Sequence, residues 1–259
     1  MTAGSGIELQ RADGIATVTL ARPAKRNALD MAMIRRLGEI CLELDRDTAV
    51  RAVILTGQEG AFSAGGDIGA WGDLSPQDFA RFWVREGHRA FDLLARLRQP
   101  VIAVLNGPAL GGGLELAACA DLRIAEAHVR IGQPEPALGI IPGWSGTQRA
   151  ARRFGPQVLR RMALFGEVFS AEEALALGLV DRVVETGAGL TAARDLAARA
   201  AAQAPLATEL TKMMLNAAEG EERERPMDAL AGGFAAGTRD LQEGLAAFGD
   251  KRRPDFQGE

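Results

Sequence analysis

A single carboxylate, Glu115, stands in an otherwise uncharged stretch of the chain. It follows three consecutive glycines in GPALGGGLELAACA at 107–120, and no other side chain from residue 100 to residue 120 is charged at pH 7. Burying an unpaired carboxylate is costly unless the group is hydrogen-bonded or protonated. The position of Glu115 therefore indicates a residue with a chemical task.

A second carboxylate, Glu135, lies between two prolines in QPEP at 133–136. The proline rings limit backbone freedom and hold the direction of the side chain. Two carboxylates beside one apolar pocket can divide acid and base roles when their surroundings separate their pKa values. The alternative interpretation of Glu135 is a solvated loop charge, and sequence spacing alone does not decide whether the two glutamates meet.

Two glycine-containing loops each follow a short apolar strand: AFSAGGDI at 61–68 and GPALGGGLE at 107–115. Backbone N–H groups at a helix start stabilise an anion or a developing oxyanion, and glycine lets a ligand approach the main chain closely. The alternative is that the glycines serve only tight turns and close packing. One such loop favours packing, whereas two loops, one of them carrying Glu115, favour an anion-stabilising site.

Several familiar motifs are missing from the sequence. No G-x-G-x-x-G follows a strand and no G-K-[ST] closes a phosphate loop, which argues against dinucleotide and nucleotide chemistry. The only histidines, His88 and His128, have no partner at ligand spacing, so no metal site is predicted. The segment GWSGT at 143–147 has threonine where a nucleophile elbow ends in glycine, which argues against a serine hydrolase.

The composition is that of a soluble globular protein, with 47% hydrophobic and 25% charged residues among 259. A net charge of -4 gives no general basic field for nucleic acid or an anionic membrane, so neither is an expected partner. The N-terminus lacks a signal-peptide pattern, and two cysteines make no disulfide scaffold. We therefore expect a cytoplasmic protein.

The elements that must position these residues alternate between strands and helices. Apolar and β-branched runs predict strands at 7–10, 14–20, 53–55, 101–105, 122–125 and 129–132, the first two as a hairpin. Apolar residues from Met33 to Leu44 recur on one helical face, and Asp30 is the candidate N-cap. This alternation predicts an α/β architecture.

The second half of the chain carries clear helix signals. Ser170 and Glu173 have the spacing of a capping box, and Gly178 marks the end of the short helix that they begin. From Leu190 onward the pattern is helical only, with breaks at Pro205 and in the charged run 221–226. These features predict a helical C-terminal layer.

Taken together, the motifs resemble those of the enoyl-CoA hydratase/isomerase (crotonase) superfamily. The likeness covers most of the chain: RPAKRNAL at 22–29, AFSAGGDI at 61–68, GPALGGGLELAACAD at 107–121, IGQPEPALGIIPGWSGTQR at 131–149 and AAFGDKRRPDF at 246–256. It implies a crotonase-like spiral of ββα units over residues 1–195. It also implies a helical oligomerisation region over residues 196–259 that assembles homotrimers, or hexamers as dimers of trimers.

The resemblance also implies roles for particular residues. The N–H groups of Ala64 and Gly112 would form an oxyanion hole for the thioester carbonyl, Glu115 and Glu135 would be the catalytic glutamates, and the Gly143 N–H would help to hold the reacting water. Lys25 and Ala28 would line the path of coenzyme A, and Phe248 and Lys251 would reach the adenine end on a neighbouring subunit. The remaining implied substrate-binding residues are Gly65, Gly66, Asp67, Ile68, Pro108 and Leu138.

The implied reaction is the addition of water to a trans-2-enoyl-CoA, giving a 3-hydroxyacyl-CoA as in fatty acid β-oxidation. Glu115 would deprotonate the water and Glu135 would supply the proton to C2, with no metal and no cofactor beyond the coenzyme A of the substrate. The alternatives are another acyl-CoA reaction, isomerisation or hydrolysis, and a non-catalytic CoA- or RNA-binding relative. Leu114, Trp144 and Ser145 depart from the usual residues of the family, so the acyl-chain preference stays open.

Overall fold

The computed structural model describes residues 6–222 and 224–259, and in these residues nine strands form two sheets. The strands are β1 (Ile7–Ala12), β2 (Ile15–Leu20), β3 (Ala52–Gly57), β4 (Val101–Leu105), β5 (Ala109–Leu110), β6 (Leu122–Glu126), β7 (Arg130–Gly132), β8 (Val168–Ser170) and β9 (Arg182–Val184). Each strand predicted from the sequence is confirmed. The strands β5, β8 and β9 were not predicted, because runs of two or three residues are too short to show alternation.

Helices fill most of the remaining described chain. The α-helices are α1 (Met31–Arg46), α2 (Ile68–Trp71), α3 (Pro76–Asp78), α4 (Arg85–Ala95), α5 (Gly112–Ala117), α6 (Arg149–Phe154), α7 (Pro156–Phe165), α8 (Ala171–Ala176), α9 (Gly189–Ala201), α10 (Pro205–Ala218), α11 (Glu224–Ala236) and α12 (Arg239–Gly249). The segments Pro23–Lys25 and Glu135–Leu138 are 3-10 helices, and Phe79–Val84 is a π-helix. In the described part of the chain, every helix is too short or too polar to serve as a membrane-spanning segment.

The larger sheet grows by one strand with each turn of the chain. Its order is β1-β2-β3-β4-β6-β9, in which β1 and β2 form an antiparallel hairpin and every later pair is parallel. The smaller sheet has the order β5-β7-β8. Successive turns thus add neighbouring strands to both sheets, which is the expected spiral, and the mixed α/β class is confirmed.

Apolar side chains cover both faces of the larger sheet. Strands β3 and β4 are buried along their whole length, as expected of parallel strands with helices on both sides. One face packs against the apolar stripe of α1, including Met33 and Leu44, and the other packs against Ala193 and Ala197 of α9. This core fixes the ends of β3 and β4, from which the two glycine loops leave.

Side-chain caps fix two helix starts at the residues that the sequence indicated. The Asp30 carboxylate accepts the Met33 N–H at the start of α1. Ser170 Oγ accepts the Glu173 N–H at 3.2 Å, and the Glu173 carboxylate accepts the Ser170 N–H at 2.8 Å, which completes a capping box at α8. Gly178 follows with a φ of 73°, as a helix-terminating glycine requires.

The chain divides into two compact units, residues 1–212 and residues 213–259. Helix α9 packs on β3 and β4 of the first unit, because its small alanines allow close approach to the sheet. The family resemblance implied a domain boundary after residue 195, which lies within α9. The role of residues 196–259 in oligomerisation stays a prediction.

Replacing Ser170 by alanine should destabilise the protein by about 1 kcal/mol, because the Glu173 N–H loses its acceptor. Ser170→Asp is the matched control, since aspartate keeps a capping oxygen and should retain most of the stability. Urea unfolding followed by circular dichroism measures both variants. An equal loss in the two variants would contradict the capping role.

Candidate active site

A cleft with a cavity volume of about 100 Å³ opens where the two glycine loops meet the chain after β7. Its wall is mainly apolar, with two acidic side chains and several glycines. Nine residues singled out from the sequence line it: Ala64, Gly65, Gly66, Ile68, Gly112, Glu115, Glu135, Leu138 and Gly143. The structure therefore brings both glutamates and both loops to one place.

The first glycine loop is held by Asn27, which is fully buried. Its side-chain amide donates to the carbonyl oxygens of Gln58 and Ala61, and its Oδ1 accepts the Arg22 N–H. Ser63 Oγ donates in turn to the Asn27 carbonyl at 2.9 Å. The RPAKRNAL segment thus supports the first glycine loop through the hydrogen bonds of Asn27. Sequence reasoning missed this role because asparagine is common in ordinary turns.

The predicted role of Ala64 as an oxyanion donor is wrong. Its amide N–H donates to the Arg26 carbonyl at 3.0 Å, so it is not available to a ligand in the cleft. Two residues later the chain presents the Gly66 N–H, which has no acceptor among the described contacts. The sequence showed which loop faces the cleft, but the direction of each N–H depends on backbone angles that residue types do not fix.

The second glycine loop brings its own N–H close to that of Gly66. Gly111 adopts a φ of 54° and donates its N–H to the Gly132 carbonyl, which leads the chain into α5. The Gly112 N–H has no acceptor among the described residues, and a Cβ placed on Gly112 would lie 3.3 Å from the Gly66 nitrogen. Two unpaired donors therefore lie side by side at the cleft.

Glu115 lies on α5 and is only 2% exposed. Its Oε1 accepts two backbone N–H groups, from Trp144 at 2.7 Å and from Gly146 at 2.6 Å. Both donors belong to the turn after the 3-10 helix Glu135–Leu138. One oxygen of the buried carboxylate is thus fully engaged, which leaves Oε2 as the oxygen available to the cleft.

Glu135 lines the same cleft from the start of the 3-10 helix. Its Oε1 accepts the Gln133 side-chain amide at 3.0 Å, whereas its Oε2 is buried without a partner in the described structure. A Cβ placed on Gly146 would lie 2.7 Å from Glu115 Oε1 and 3.0 Å from Gln133 Nε2. The buried Gln133 therefore lies near both acids, and Glu135 keeps one carboxylate oxygen without a partner in the described residues.

The surroundings raise the pKa of both carboxyl groups. Burial, reinforced by the charge of Glu135, raises the pKa of Glu115 to about 8 against the opposing effect of its two backbone donors. Burial also raises the pKa of Glu135. Two coupled acids with raised pKa values in one cleft form a site that can hold and exchange a proton near neutral pH.

Ser145 and His88 form a contact that sequence reasoning did not find. Ser145 Oγ lies 3.2 Å from His88 Nδ1, and Ser145 has a φ of 75°, a left-handed conformation that serine seldom adopts. The residue sits between the two N–H donors to Glu115. The departure of Ser145 from the usual family residue was the one available signal, and it did not reveal the histidine partner.

Four other predicted substrate-binding residues of the first unit do not line the cleft. Asp67 pairs with Arg22 at 2.6 Å and caps α2 through the Gly69 N–H, and the Pro108 carbonyl accepts the Ser63 N–H, so both serve the loop structure. Lys25 is exposed and Ala28 is buried just after it. Their place on a coenzyme A path stays a prediction.

The two remaining predicted residues lie in the second unit. Phe248 is near the end of α12 and is 87% exposed, and Lys251 follows the helix with a φ of 54°. An exposed aromatic ring beside a lysine suits contact with an adenine and its phosphate. Their contact with a neighbouring subunit's ligand stays a prediction.

Comparison with known proteins gives matches along nearly the whole chain. The family described as Enoyl-CoA hydratase/isomerase matches residues 10–259. The crotonyl-CoA hydratase of Syntrophomonas wolfei is 36% identical over 96% of this chain and 97% of its own length, and the 2,3-dehydroadipyl-CoA hydratase of Escherichia coli K12 is 35% identical over 98% and 99%. The crystal structure of an enoyl-CoA hydratase from Bacillus anthracis superposes with a TM-score of 0.81, at 32% identity over 98% of this chain and 100% of that one.

The raised pKa of Glu115 predicts a pH dependence of stability. Because folding raises the pKa from about 4.5 to about 8, the folded state holds more protons in that range, so stability falls as pH rises through it. Glu115→Gln should remove the part of this decline that Glu115 causes, since the amide keeps an acceptor oxygen and does not ionise. Glu135→Gln should end the decline at a lower pH, because it removes the neighbouring charge. Urea unfolding between pH 5 and pH 8 measures the effect, and parallel curves for wild type and Glu115→Gln would contradict it.

Proposed function

Because the chain belongs to the enoyl-CoA hydratase/isomerase family, we propose that it catalyses the reversible addition of water to a trans-2-enoyl-CoA. The observation that carries this proposal is that Glu115 and Glu135 line one cleft with the Gly66 and Gly112 amides. The names of the relatives, which include a crotonyl-CoA hydratase, support the same chemistry. The proposed product is a 3-hydroxyacyl-CoA.

The two free amides account for activation of the thioester. Attack of water at C3 moves negative charge onto the thioester oxygen, and that oxygen would accept from the Gly66 and Gly112 N–H groups. Donors that are already oriented stabilise this charge more in the transition state than in the ground state. The Gly112 donor agrees with the family resemblance, and Gly66 takes the place expected for Ala64.

The two carboxyl groups account for the proton transfers. Burial raises both pKa values, that of Glu115 to about 8, so the pair can hold a proton near neutral pH. The reactive state is the one in which that proton lies on Glu135 and Glu115 is ionised. We assign Glu115 as the base that removes a proton from water and Glu135 as the acid that protonates C2. The Gly143 N–H would hold the same water, and no group outside the chain and the substrate is needed.

The expected assembly is a homotrimer or a dimer of trimers, in a cytoplasmic setting. Large exposed apolar side chains on separate helices support assembly, among them Phe165 at 77%, Phe234 at 82% and Phe248 at 87% exposure. Cys41 and Cys119 are both buried thiols, which is compatible with a reducing compartment.

Isomerisation and thioester hydrolysis remain the competing reactions within the family. Isomerisation moves a proton between carbons and needs one carboxylate. Hydration uses two, one to deprotonate the water and one to protonate C2. Both glutamates line the cleft, which favours hydration. Mass analysis of the product separates the outcomes, because hydration adds one water, isomerisation leaves the mass unchanged and hydrolysis releases free coenzyme A.

Glu115→Gln and Glu135→Gln should each lower kcat for crotonyl-CoA by a factor of about 10² or more, while the affinity for a saturated acyl-CoA stays close to wild type. The loss of the enoyl-thioester absorbance measures turnover, and calorimetry measures binding. Glu172→Gln on the surface of α8 is the matched control. Near-wild-type turnover in both active-site variants would overturn the assignment of the two acids.

Sedimentation velocity tests the assembly. A trimer or hexamer is expected at micromolar concentration, and Phe248→Ala should weaken coenzyme A binding more than it changes the mass of the assembly. A monomer that retains full activity would contradict the proposed contribution of a neighbouring subunit.

A further inference from the structure

The indole of Trp144 closes the cleft on the side of α4. Trp144 lines the cleft and yet is only 2% exposed. Its ring lies 5.0 Å from the Trp83 ring and 5.2 Å from the Phe91 ring, between centroids, and both of those side chains are also buried. The three buried rings pack together, and two of them, Trp83 and Trp144, form one wall of the cleft.

A hydrogen bond and a glycine lock this indole in place. Trp144 Nε1–H donates to the Trp83 carbonyl at 3.1 Å, at the end of the π-helix. On α4, a Cβ at Gly87 would overlap the same indole nitrogen, so the ring fits only because residue 87 has no side chain. A buried, hydrogen-bonded ring in a fitted recess holds one position, because moving it would leave its N–H unpaired and open a cavity.

The six-membered part of the same ring lies against the two free amides. A Cβ on Gly112 would lie 2.9 Å from the Trp144 ring, and a Cβ on Gly66 would lie 3.6 Å from it. The backbone N–H of Trp144 also holds Glu115. An acyl chain anchored by its thioester at Gly66 and Gly112 therefore meets the indole close to its reacting carbons.

We propose that Trp144 sets the acyl-chain specificity and restricts this enzyme to short, straight acyl groups of the crotonyl type. The inference rests on the proposed function and deepens it, because it names the substrate class. Gly87 is the residue that permits the restriction, since it provides the recess for the ring. Trp71 and Phe79, which also line the cleft, are partly exposed, whereas Trp144 is buried.

The test compares trans-2-enoyl-CoA thioesters with crotonyl, hexenoyl, octenoyl and decenoyl chains. In the wild type, kcat/KM should fall from crotonyl to decenoyl by at least about tenfold. Trp144→Ala removes the wall while its backbone N–H still holds Glu115, so the decenoyl-to-crotonyl ratio of kcat/KM should rise by about tenfold or more. Equal use of all chains by the wild type, or an unchanged ratio in the variant, would overturn the proposal.

Two further variants separate pocket shape from general damage. Trp144→Leu keeps apolar volume but lacks the breadth of the ring, and it should change the ratio in the same direction if Trp144→Ala does not fold. Phe82→Ala is the matched control, because Phe82 belongs to the same π-helix, is 49% exposed and does not line the cleft. It should leave the chain-length ratio unchanged, and a shift as large as that of Trp144→Ala would contradict a specific role for Trp144.

A double variant tests the recess without any reaction. Gly87→Ala alone should lower the melting temperature, because the new methyl group collides with the indole. In the Trp144→Ala background the same methyl group has room, so adding Gly87→Ala should cost much less. Equal losses in the two backgrounds would contradict the fit of Trp144 to Gly87.

Binding of saturated acyl-CoA thioesters separates a failure of this proposal from a failure of the proposed reaction. Calorimetry with butyryl-CoA and decanoyl-CoA reads chain preference whether or not the protein hydrates anything. Tighter binding of butyryl-CoA by the wild type, reversed in Trp144→Ala, supports the wall even if another reaction is found. Active hydration together with tighter decanoyl-CoA binding by the wild type would reject the wall and leave the hydratase proposal standing.

Discussion

Burial of the Glu115 carboxylate is the constraint on which the rest of the site depends. A carboxylate that is 2% exposed needs donors, and Trp144 and Gly146 supply them from the backbone. The turn from Gly143 to Gly146 must therefore hold its N–H groups toward α5, and Ser145 accepts a left-handed backbone to do so. The buried Arg149, paired with Asp92 at 2.5 Å, lowers the cost of the charge from the far side.

The same turn joins the chemistry to the shape of the cleft. Trp144 contributes its backbone N–H to the acid and its indole to the wall, so one residue places the reactive group and limits the space beside it. The adjoining part of the cleft depends on close contact between the two glycine loops, since Gly66 and Gly112 must present adjacent N–H groups. The groups that activate the thioester and the water therefore lie next to the apolar side chain that limits the acyl group. This arrangement allows a small cleft to be specific.

The sequence predicted the features that rest on local chemistry. Asp30 and Ser170 begin their helices because a side-chain oxygen there can accept a backbone N–H of the first helical turn. The isolated charge of Glu115 indicated a buried functional acid, because a lone carboxylate is seldom left in an apolar run. The family resemblance then identified the two loops and the second acid, although it named Ala64 where the free N–H belongs to Gly66.

The remaining features depend on tertiary contacts. The Ala64 N–H donates to the Arg26 carbonyl, next to the hydrogen bonds of Asn27 that support the loop. No residue pattern predicts the direction of a backbone N–H. The three-residue strands β8 and β9 exist because they pair with other strands, not because of their own sequence. The recess at Gly87 follows from a tryptophan more than fifty positions away, so neither residue alone could reveal it.

The most direct measurement of the central claim is a crystal structure with 3-hydroxybutyryl-CoA bound. The account predicts a thioester oxygen within hydrogen-bonding distance of both the Gly66 and the Gly112 nitrogens, with the 3-hydroxyl between the carboxyl groups of Glu115 and Glu135. A thioester oxygen held by any other pair of donors, or a 3-hydroxyl away from both acids, would contradict it.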